Sequence, residues 1–419
     1  MLRNTYTSKV FNDPVYGFIN IPDRLSLEII DHPHFQRLRR IKQLGLTHLV
    51  YPGAINTRFH HALGAMHLMN EALKVLLAKG HKISDLDRRA ASMAILLHDI
   101  GHGPFSHALE HSIVQGITHE HLSLLFMEFF KERDPELFET ALKIFKNEHP
   151  LPFLHQLVSG QLDMDRMDYL MRDSFYTGVS EGVIGSQRII KMLDLHENQL
   201  VVEEKGIYSV EKFLVARRIM YWQVYLHKTV VAAEFMLVKV LSRAKELYRN
   251  GIKPDCTPAL KLFLENDFKL EDFVADPKLL NQFAKLDDYD IHAAIKTWQD
   301  CDDYVLRDLS TRMVNRKLFR IVIRKHPFNT TEKEFIKQEL KSKLSISEAE
   351  LEYYLLTGTL ENNAYLAKGS GIMIKRKNGS LEKAEQVADN LNLSALAKPV
   401  KKYFMAFPKE IDDSFITQI

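Results

Sequence analysis

The sequence predicts a mainly α-helical chain that carries one small β-hairpin and an α+β appendage at its C-terminal end. Three observations predict it. Apolar residues recur at helical spacing through most of the stretch from Asp23 to Asn315. Between Leu193 and Val210 the pattern changes, because LDLHENQLVVEEKGIYSV sets a polar turn between alternating or β-branched residues, the signature of a hairpin. Beyond Arg316 the segments RKLFRIVIRK and GIMIKRKNG read as strands, and TEKEFIKQELKSKL and SLEKAEQVADNL read as helices. The division expected from that shift is a helical unit over residues 1–315 followed by a small α+β region over 316–419.

The helices are justified one by one. In DRLSLEIIDHPHFQRLRRIKQL, Pro33 separates a first helix from a second. TRFHHALGAMHLMNEALKVLLAKG opens on Thr57 as an N-cap and closes at Gly80. SDLDRRAASMAILLHD opens on Ser84, has acids in its first turn to complement the helix dipole, and should end near Gly101. GHGPFSH should leave the helix at its glycines and restart at Pro104, a favoured first-turn residue. The longest helical pattern runs from Glu211 to Asn250.

Composition narrows the class. Hydrophobic residues make up 46% and charged residues 26% of the 419 positions, the mix of a globular protein with a sizeable core. Lys and Arg number 56 against 54 Asp and Glu, so nothing supports wholesale binding to nucleic acid or membrane, and any charged site must be local. KRKNGSLEK is a modest basic patch that reads as an exposed hairpin. With only Cys256 and Cys301 there is no disulfide framework, which fits a reducing compartment. MLRNTYTSKVFNDPVYG lacks the apolar stretch of a signal peptide, and apolar runs such as VVAAEFMLV fall far short of a membrane span. The expectation is a cytoplasmic protein.

One segment stands apart. LLHDIGHGPFSH places three histidines and an aspartate in twelve positions, with two glycines and a proline among them. A buried helix would not carry that density, since each imidazole needs a partner and each glycine weakens a helix by about 1 kcal/mol. A metal site accounts for it. His98 and Asp99 are adjacent at a helix end, where side chains diverge by roughly 100°, so they can share an ion lying between their two directions. Further donors are on offer in RFHHALG, with His60 and His61, and in QLDMDRMDYLMRDS, with Asp163, Asp165 and Asp168. Two His and two Asp suit Mn, Fe, Ni, Co or Zn and, less comfortably, Mg, and they leave coordination positions open for water and substrate. Taken singly, His61 reads as a core histidine and Asp165 as a helix cap; the grouping gives them meaning.

In order along the chain, NDPVYGFI, DHPHFQRLRRIKQLG, YPGAINTRFHHALG, LLHDIGHGPFSH, THEH, DMDRMDYLMRDS and YLHK resemble the motifs of the HD superfamily of metal-dependent phosphohydrolases. The likeness is to the deoxynucleotide triphosphohydrolase branch that includes the vertebrate sterile-alpha-motif/HD enzyme. It is strong over residues 10 to about 230 and weak beyond, and no sterile-alpha-motif region is present. The resemblance implies an HD-domain helical bundle with His61, His98, Asp99 and Asp165 as metal ligands. It selects His61 over His60 because the family ligand stands three residues after the Arg of RFxH. It also implies that His102, His107 and His119 act on the substrate, with His107 as general acid for the leaving oxygen and Glu110, where the family often has Asp, orienting it. An imidazole titrating near neutrality suits proton donation to an alkoxide.

For the substrate, the resemblance implies Arg58, Arg166 and Arg217 on the triphosphate, with Arg218 as the alternative to Arg217. Arg suits this role through its bidentate fork. Gln43 and Asp173 correspond to the 3′-hydroxyl contacts, Leu44 and Tyr169 to the sugar packing, and Tyr225 to the base side. An apolar wall would leave a 2′-hydroxyl unpaired at about 1–3 kcal/mol. Asp31, Gln36 and Arg39 match a regulatory guanine-nucleotide site that lies between subunits of the family, which implies a nucleotide activator and a dimer or tetramer.

The activity so implied is hydrolysis of a dNTP to deoxynucleoside and inorganic triphosphate. Two other readings compete. An HD phosphodiesterase or nucleotidase acting on another nucleotide would typically read HDIGK with a GYP element, whereas this chain reads HDIGH followed by GPFSH. A non-catalytic nucleotide-binding oligomer draws little support from a near-zero net charge.

Overall fold

The computed structural model describes residues 9–105, 113–114, 116–362, 371–389 and 400–412. The described chain opens with an antiparallel hairpin, β1 (Val10–Asp13) and β2 (Gly17–Asn20). Asp13 closes its turn: Oδ1 accepts from the Val15 N–H at 2.9 Å and from the Tyr16 N–H at 3.0 Å, and Gly17 supplies a φ of +76°. Helix α1 (Arg24–Asp31) is capped by Asp23, which accepts from the Ser26 N–H at 2.8 Å. As expected it stops before Pro33, which opens a short helical turn of its own.

Four helices frame the next part of the chain. Helix α2 (Arg58–Ala78) is buried on most of its surface and ends before Gly80, whose φ is +88°. Helix α3 (Asp85–Leu97) starts at Ser84, whose Oγ accepts from the Asp87 N–H at 3.0 Å, and every residue from Ala90 to Leu97 is buried. It ends at Leu97 rather than near Gly101. The chain tightens there into successive turns, Ile100 N–H to Leu97 O and His102 N–H to Asp99 O, at 3.1 and 3.2 Å. Gly101 faces the start of helix α4 (His119–Phe130) so closely that a Cβ would lie 2.1 Å from His119 O. Pro104 and Phe105 occupy a turn, so the helical restart expected at Pro104 does not begin there, and residues 106–112 lie outside the described residues. Helix α5 (Met164–Thr177) is capped by Asp163 and ends at Gly178, φ +73°.

The hairpin expected around residue 200 is β3 (Leu193–His196) and β4 (Gln199–Glu203), turning through Glu197 and Asn198 at φ +49° and +60°. The long helical pattern that follows is two helices, α6 (Ile207–Met220) and α7 (Lys228–Arg249). Tyr221–Tyr225 form a π-turn between them, and His227 caps α7 by accepting from the Thr229 N–H at 3.2 Å. Helix α9 (Tyr304–Val314) packs on α7, and α8 (Asp288–Thr297) packs on α9.

The remaining segment carries β5 (Arg320–Arg324), α10 (Thr330–Leu344), β6 (Leu356–Asn362), β7 (Met373–Lys375), β8 (Leu381–Lys383) and β9 (Val400–Phe407). Strand β9 lies between β5 and β6 in an antiparallel sheet, while β7 pairs in parallel with β4, so the hairpin becomes half of a four-stranded sheet. SLEKAEQVADNL is not one helix: Leu381–Lys383 is strand β8, held by pairing with β7, and among its described residues only Ala384–Val387 are helical. No helix among the described residues is long and apolar enough to cross a membrane.

Candidate metal centre and cleft

Three separated stretches meet because α3 and α5 both pack on α2. The first turn of α2 presents His61, the end of α3 presents His98 and Asp99, and the first turn of α5 presents Asp165. Gly64 makes the approach of α5 possible, since a Cβ there would lie 1.9 Å from Asp168 Oδ1. The turn after α3 is held by Ser123, which accepts from the Gly101 N–H at 2.9 Å and donates to His98 O at 2.7 Å.

His61 Nε2 lies 3.2 Å from Asp165 Oδ1 and 3.8 Å from Asp99 Oδ2. His98 Nε2 lies 3.4 Å from Asp99 Oδ1 and 3.6 Å from Asp165 Oδ1. The opposite nitrogen of each ring is engaged elsewhere: His61 Nδ1 with Asp168 Oδ2 at 2.8 Å, His98 Nδ1 with Ile95 O at 2.7 Å. Both Nε2 atoms are buried without a hydrogen bond. Tethering Nδ1–H to a carboxylate or carbonyl leaves the Nε2 lone pair as the donor, the arrangement that metal-binding histidines use. The donor set therefore fits a divalent ion of the nitrogen–oxygen class. Burial alone would lower both imidazoles, but the carboxylates outweigh it. His61 is raised to about 10 by Asp165 and Asp168, and His98 is raised by Asp99 and Asp165.

A second donor group, Asp99 with His102 and His119, has its atoms within 4.8 Å of one another. The two rings are stacked at 3.7 Å and 13°, so their in-plane lone pairs run parallel and do not converge on one ion. Burial first, and then the Arg58 charge, push the His102 pKa well below its ordinary value and keep that ring neutral. His107 and Glu110 lie outside the described residues.

The centre opens into a cleft of about 600 Å³, within the range of small-molecule sites. It is lined by all eight of the expected substrate residues, Gln43, Leu44, Arg58, Arg166, Tyr169, Asp173, Arg217 and Tyr225, together with Asp99, His102, His119 and Asp165. Arg218 is not among the lining residues. The three arginines differ in commitment. Arg58 donates to Asp99 Oδ2 at 2.6 Å. Arg166 donates to Asp163 and, at 2.6 Å, to Gly160 O. Arg217 is 5% exposed, and its Nε and one terminal nitrogen are buried without a partner. Gln43 Oε1 is likewise buried and unpaired. Asp173 accepts from Asn56 Nδ2 and from the Tyr225 hydroxyl, each at 3.0 Å.

The alternatives in the sequence have other employment. His60 Nδ1 accepts from the Thr57 N–H at 3.2 Å in a capping box, and Asp163 accepts from the Arg166 N–H at 2.7 Å at the start of α5. Asp31, Gln36 and Arg39 lie outside the cleft, where Gln36 donates to Ile30 O at 2.7 Å and accepts from Arg39 Nε at 2.9 Å. Sequence reasoning missed Lys42, Tyr221 and Glu234, which also line the cleft. Tyr221, one helical turn before Tyr225, carried a signal in its spacing; Glu234 carried none.

The sequence matches the HD domain over residues 58–173 and the HD associated region over 184–255. A phosphohydrolase of Bacteroides thetaiotaomicron superposes with a TM-score of 0.93 at 50% identity, covering 96% of this chain and 100% of that one. The uncharacterized protein YwfO of Bacillus subtilis is 35% identical over 369 residues, 85% of this chain and 81% of that protein. The deoxynucleoside triphosphate triphosphohydrolase SAMHD1 homolog of Dictyostelium discoideum is 28% identical over 335 residues, 75% of this chain and 60% of that protein.

Proposed function

Because the chain belongs to the HD-domain phosphohydrolase family, we propose that it hydrolyses deoxynucleoside triphosphates to deoxynucleoside and inorganic triphosphate with one divalent metal ion held by His61, His98, Asp99 and Asp165. The observation that carries this reading is the pair of buried, unbonded Nε2 atoms facing two carboxylates at the end of a cleft into which Arg217 brings unpaired donors. Relatives named as dNTP triphosphohydrolases supply the substrate class.

Mn, Fe, Ni, Co and Zn suit the donor set, and when bound the ion supplies Lewis-acid polarisation of a phosphoryl oxygen and acidification of water. The protein's own residues do the rest. Arg217, aided by Arg166 and Arg58, neutralises the triphosphate, and the stacked rings of His102 and His119 offer it hydrogen bonds. Gln43 Oε1 and Asp173 receive the 3′-hydroxyl, while Leu44 and Tyr169 form a wall that gives a 2′-hydroxyl no partner, and Tyr225 flanks the base side. Water adds at the α-phosphorus, the bond to the 5′-oxygen breaks, and His107, oriented by Glu110, gives its proton to the departing alkoxide.

The test is turnover of each dNTP and NTP with Mn or Mg, with triphosphate resolved from pyrophosphate and orthophosphate. Inorganic triphosphate from dNTPs is expected, and the double change His98→Ala with Asp99→Ala should abolish both metal binding and turnover. Pyrophosphate with a nucleoside monophosphate would contradict attack at the α-phosphorus with loss of the 5′-oxygen.

A further inference from the structure

The tether of His61 does not end at Asp168. That carboxylate also takes Arg172, whose Nε donates to Oδ2 and whose second terminal nitrogen donates to Oδ1, both at 3.0 Å. The remaining arm of Arg172 donates to Asp13 Oδ2 at 2.7 Å. His61, Asp168 and Arg172 are fully buried and Asp13 is 7% exposed, so the four groups form one continuous chain in low dielectric. Asp13 belongs to the β1–β2 turn, well upstream of the segment that matches the HD domain. Its other oxygen is pinned by the Val15 and Tyr16 N–H groups, which fixes the direction in which Oδ2 points.

We infer that Asp13 is a positioning residue of the metal centre, acting through Arg172 and Asp168 on the His61 ring, so that the N-terminal hairpin sets how tightly the ion is held. The inference rests on the reading of His61 as a metal ligand. The physics is one of shared charge. A buried guanidinium needs an acceptor for each arm. With Asp13 present, Arg172 is balanced between two carboxylates, and Asp168 Oδ2 keeps a lone pair for His61 Nδ1–H. Without Asp13, one arm of Arg172 is left unpaired and its whole charge falls on Asp168. That draws electron density from the bond to His61, makes Nε2 a poorer donor, and frees the ring to rotate. Gly64 shows that α2 is built around this pair, since a Cβ would meet Arg172 at 2.3 Å as well as Asp168.

The test is metal affinity in the full chain. Wild type, Asp13→Asn, Asp13→Glu and His61→Ala are stripped of metal and titrated with Co(II) against a chromophoric chelator, and the Co(II) absorption is recorded. Thermal unfolding of each metal-free form is followed in parallel. Asp13→Asn should bind about tenfold more weakly, the lower end of the range for partners behind a ligand, with a shifted Co(II) band. Asp13→Glu keeps the charge at a displaced position and should fall between Asp13→Asn and wild type. If Asp13→Asn does not fold, the Glu variant carries the test with an expected few-fold weakening. A lower melting temperature with wild-type affinity and an unshifted band would mean that Asp13 merely docks the hairpin, and the inference is overturned. If His61→Ala itself binds Co(II) like wild type, the ligand assignment has failed. If only His61→Ala loses the ion, the assignment stands and Asp13 has no part in it.

Discussion

His61 and Asp168 are joined Nδ1 to Oδ2 at 2.8 Å, with both side chains fully buried, and that bond decides which nitrogen of the imidazole faces the neighbouring carboxylates. The consequence is directional. Nδ1–H donates to Asp168, Nε2 is left with the lone pair that faces the carboxylates, and a ring that swings away loses this buried hydrogen bond.

Replacing Asp168 by Asn should therefore weaken metal binding by about 10–100-fold while leaving every proposed ligand in place. Isothermal titration with Mn(II) or Co(II) measures it. Wild-type affinity in this variant would mean that Asp168 serves Arg172 alone.

Gly64→Ala tests the same packing from the other helix. In an exposed helix interior this change stabilises by about 1 kcal/mol. Here the new methyl would meet Asp168 Oδ1 at 1.9 Å and Arg172 at 2.3 Å, so the sign should reverse to a loss of about 1–3 kcal/mol from overpacking. Urea unfolding of the metal-free protein gives the value. A stabilised variant would show that the two helices do not approach as closely as described.

The grouping was legible in the sequence because all but Arg217 of these residues sit in ordered motifs: His61, His98, Asp99 and Asp165 come together, and the eight residues expected at the substrate line one cleft. The supporting groups were not. Asp13 within NDPVYG reads as a turn residue, and it is one, but nothing local reveals that its second oxygen meets Arg172 from far along the chain. Asp168 stood among three candidate donors, and only the geometry separates a ligand position from the orienting one behind it. The break at Tyr221–Tyr225 escaped notice because a π-turn keeps the helical run of apolar residues intact. The strand Leu381–Lys383 escaped notice because a helical pattern of charges was outweighed by pairing with β7. Tertiary contacts, absent from any short window, decide such cases.

Arg217 carries the clearest prediction for substrate. Its buried, unpaired donors should each gain a charge-assisted bond to phosphate, a contribution of about 1.5–3 kcal/mol. Arg217→Met, which keeps the aliphatic bulk, should lower kcat/KM for a dNTP by about 10–100-fold. Inhibition by the product deoxynucleoside, which has no phosphate, should not change. An equal loss for the deoxynucleoside would place Arg217 at the sugar or base instead.

Asp173 makes stability depend on pH in a direction opposite to that of an ordinary ion-paired carboxylate. Burial pushes its carboxyl up from 3.8 to about 7, against the opposing pull of hydrogen bonds from Asn56 and Tyr225. A raised acid holds its proton in the folded state after the unfolded chain has released it. The stability it contributes is thus complete below its ordinary value and is lost as pH rises toward its folded one. Asn at this position mimics the protonated form and does not titrate, so the difference between wild type and Asp173→Asn isolates the group. Urea unfolding of both proteins at a series of pH values should show wild type losing ground by up to about 1.4 kcal/mol per pH unit between 3.8 and about 7 and then levelling off. A difference that stays constant across that window would show that the carboxyl is already ionised in the folded protein, and that Asn56 and Tyr225 hold an anion rather than an acid.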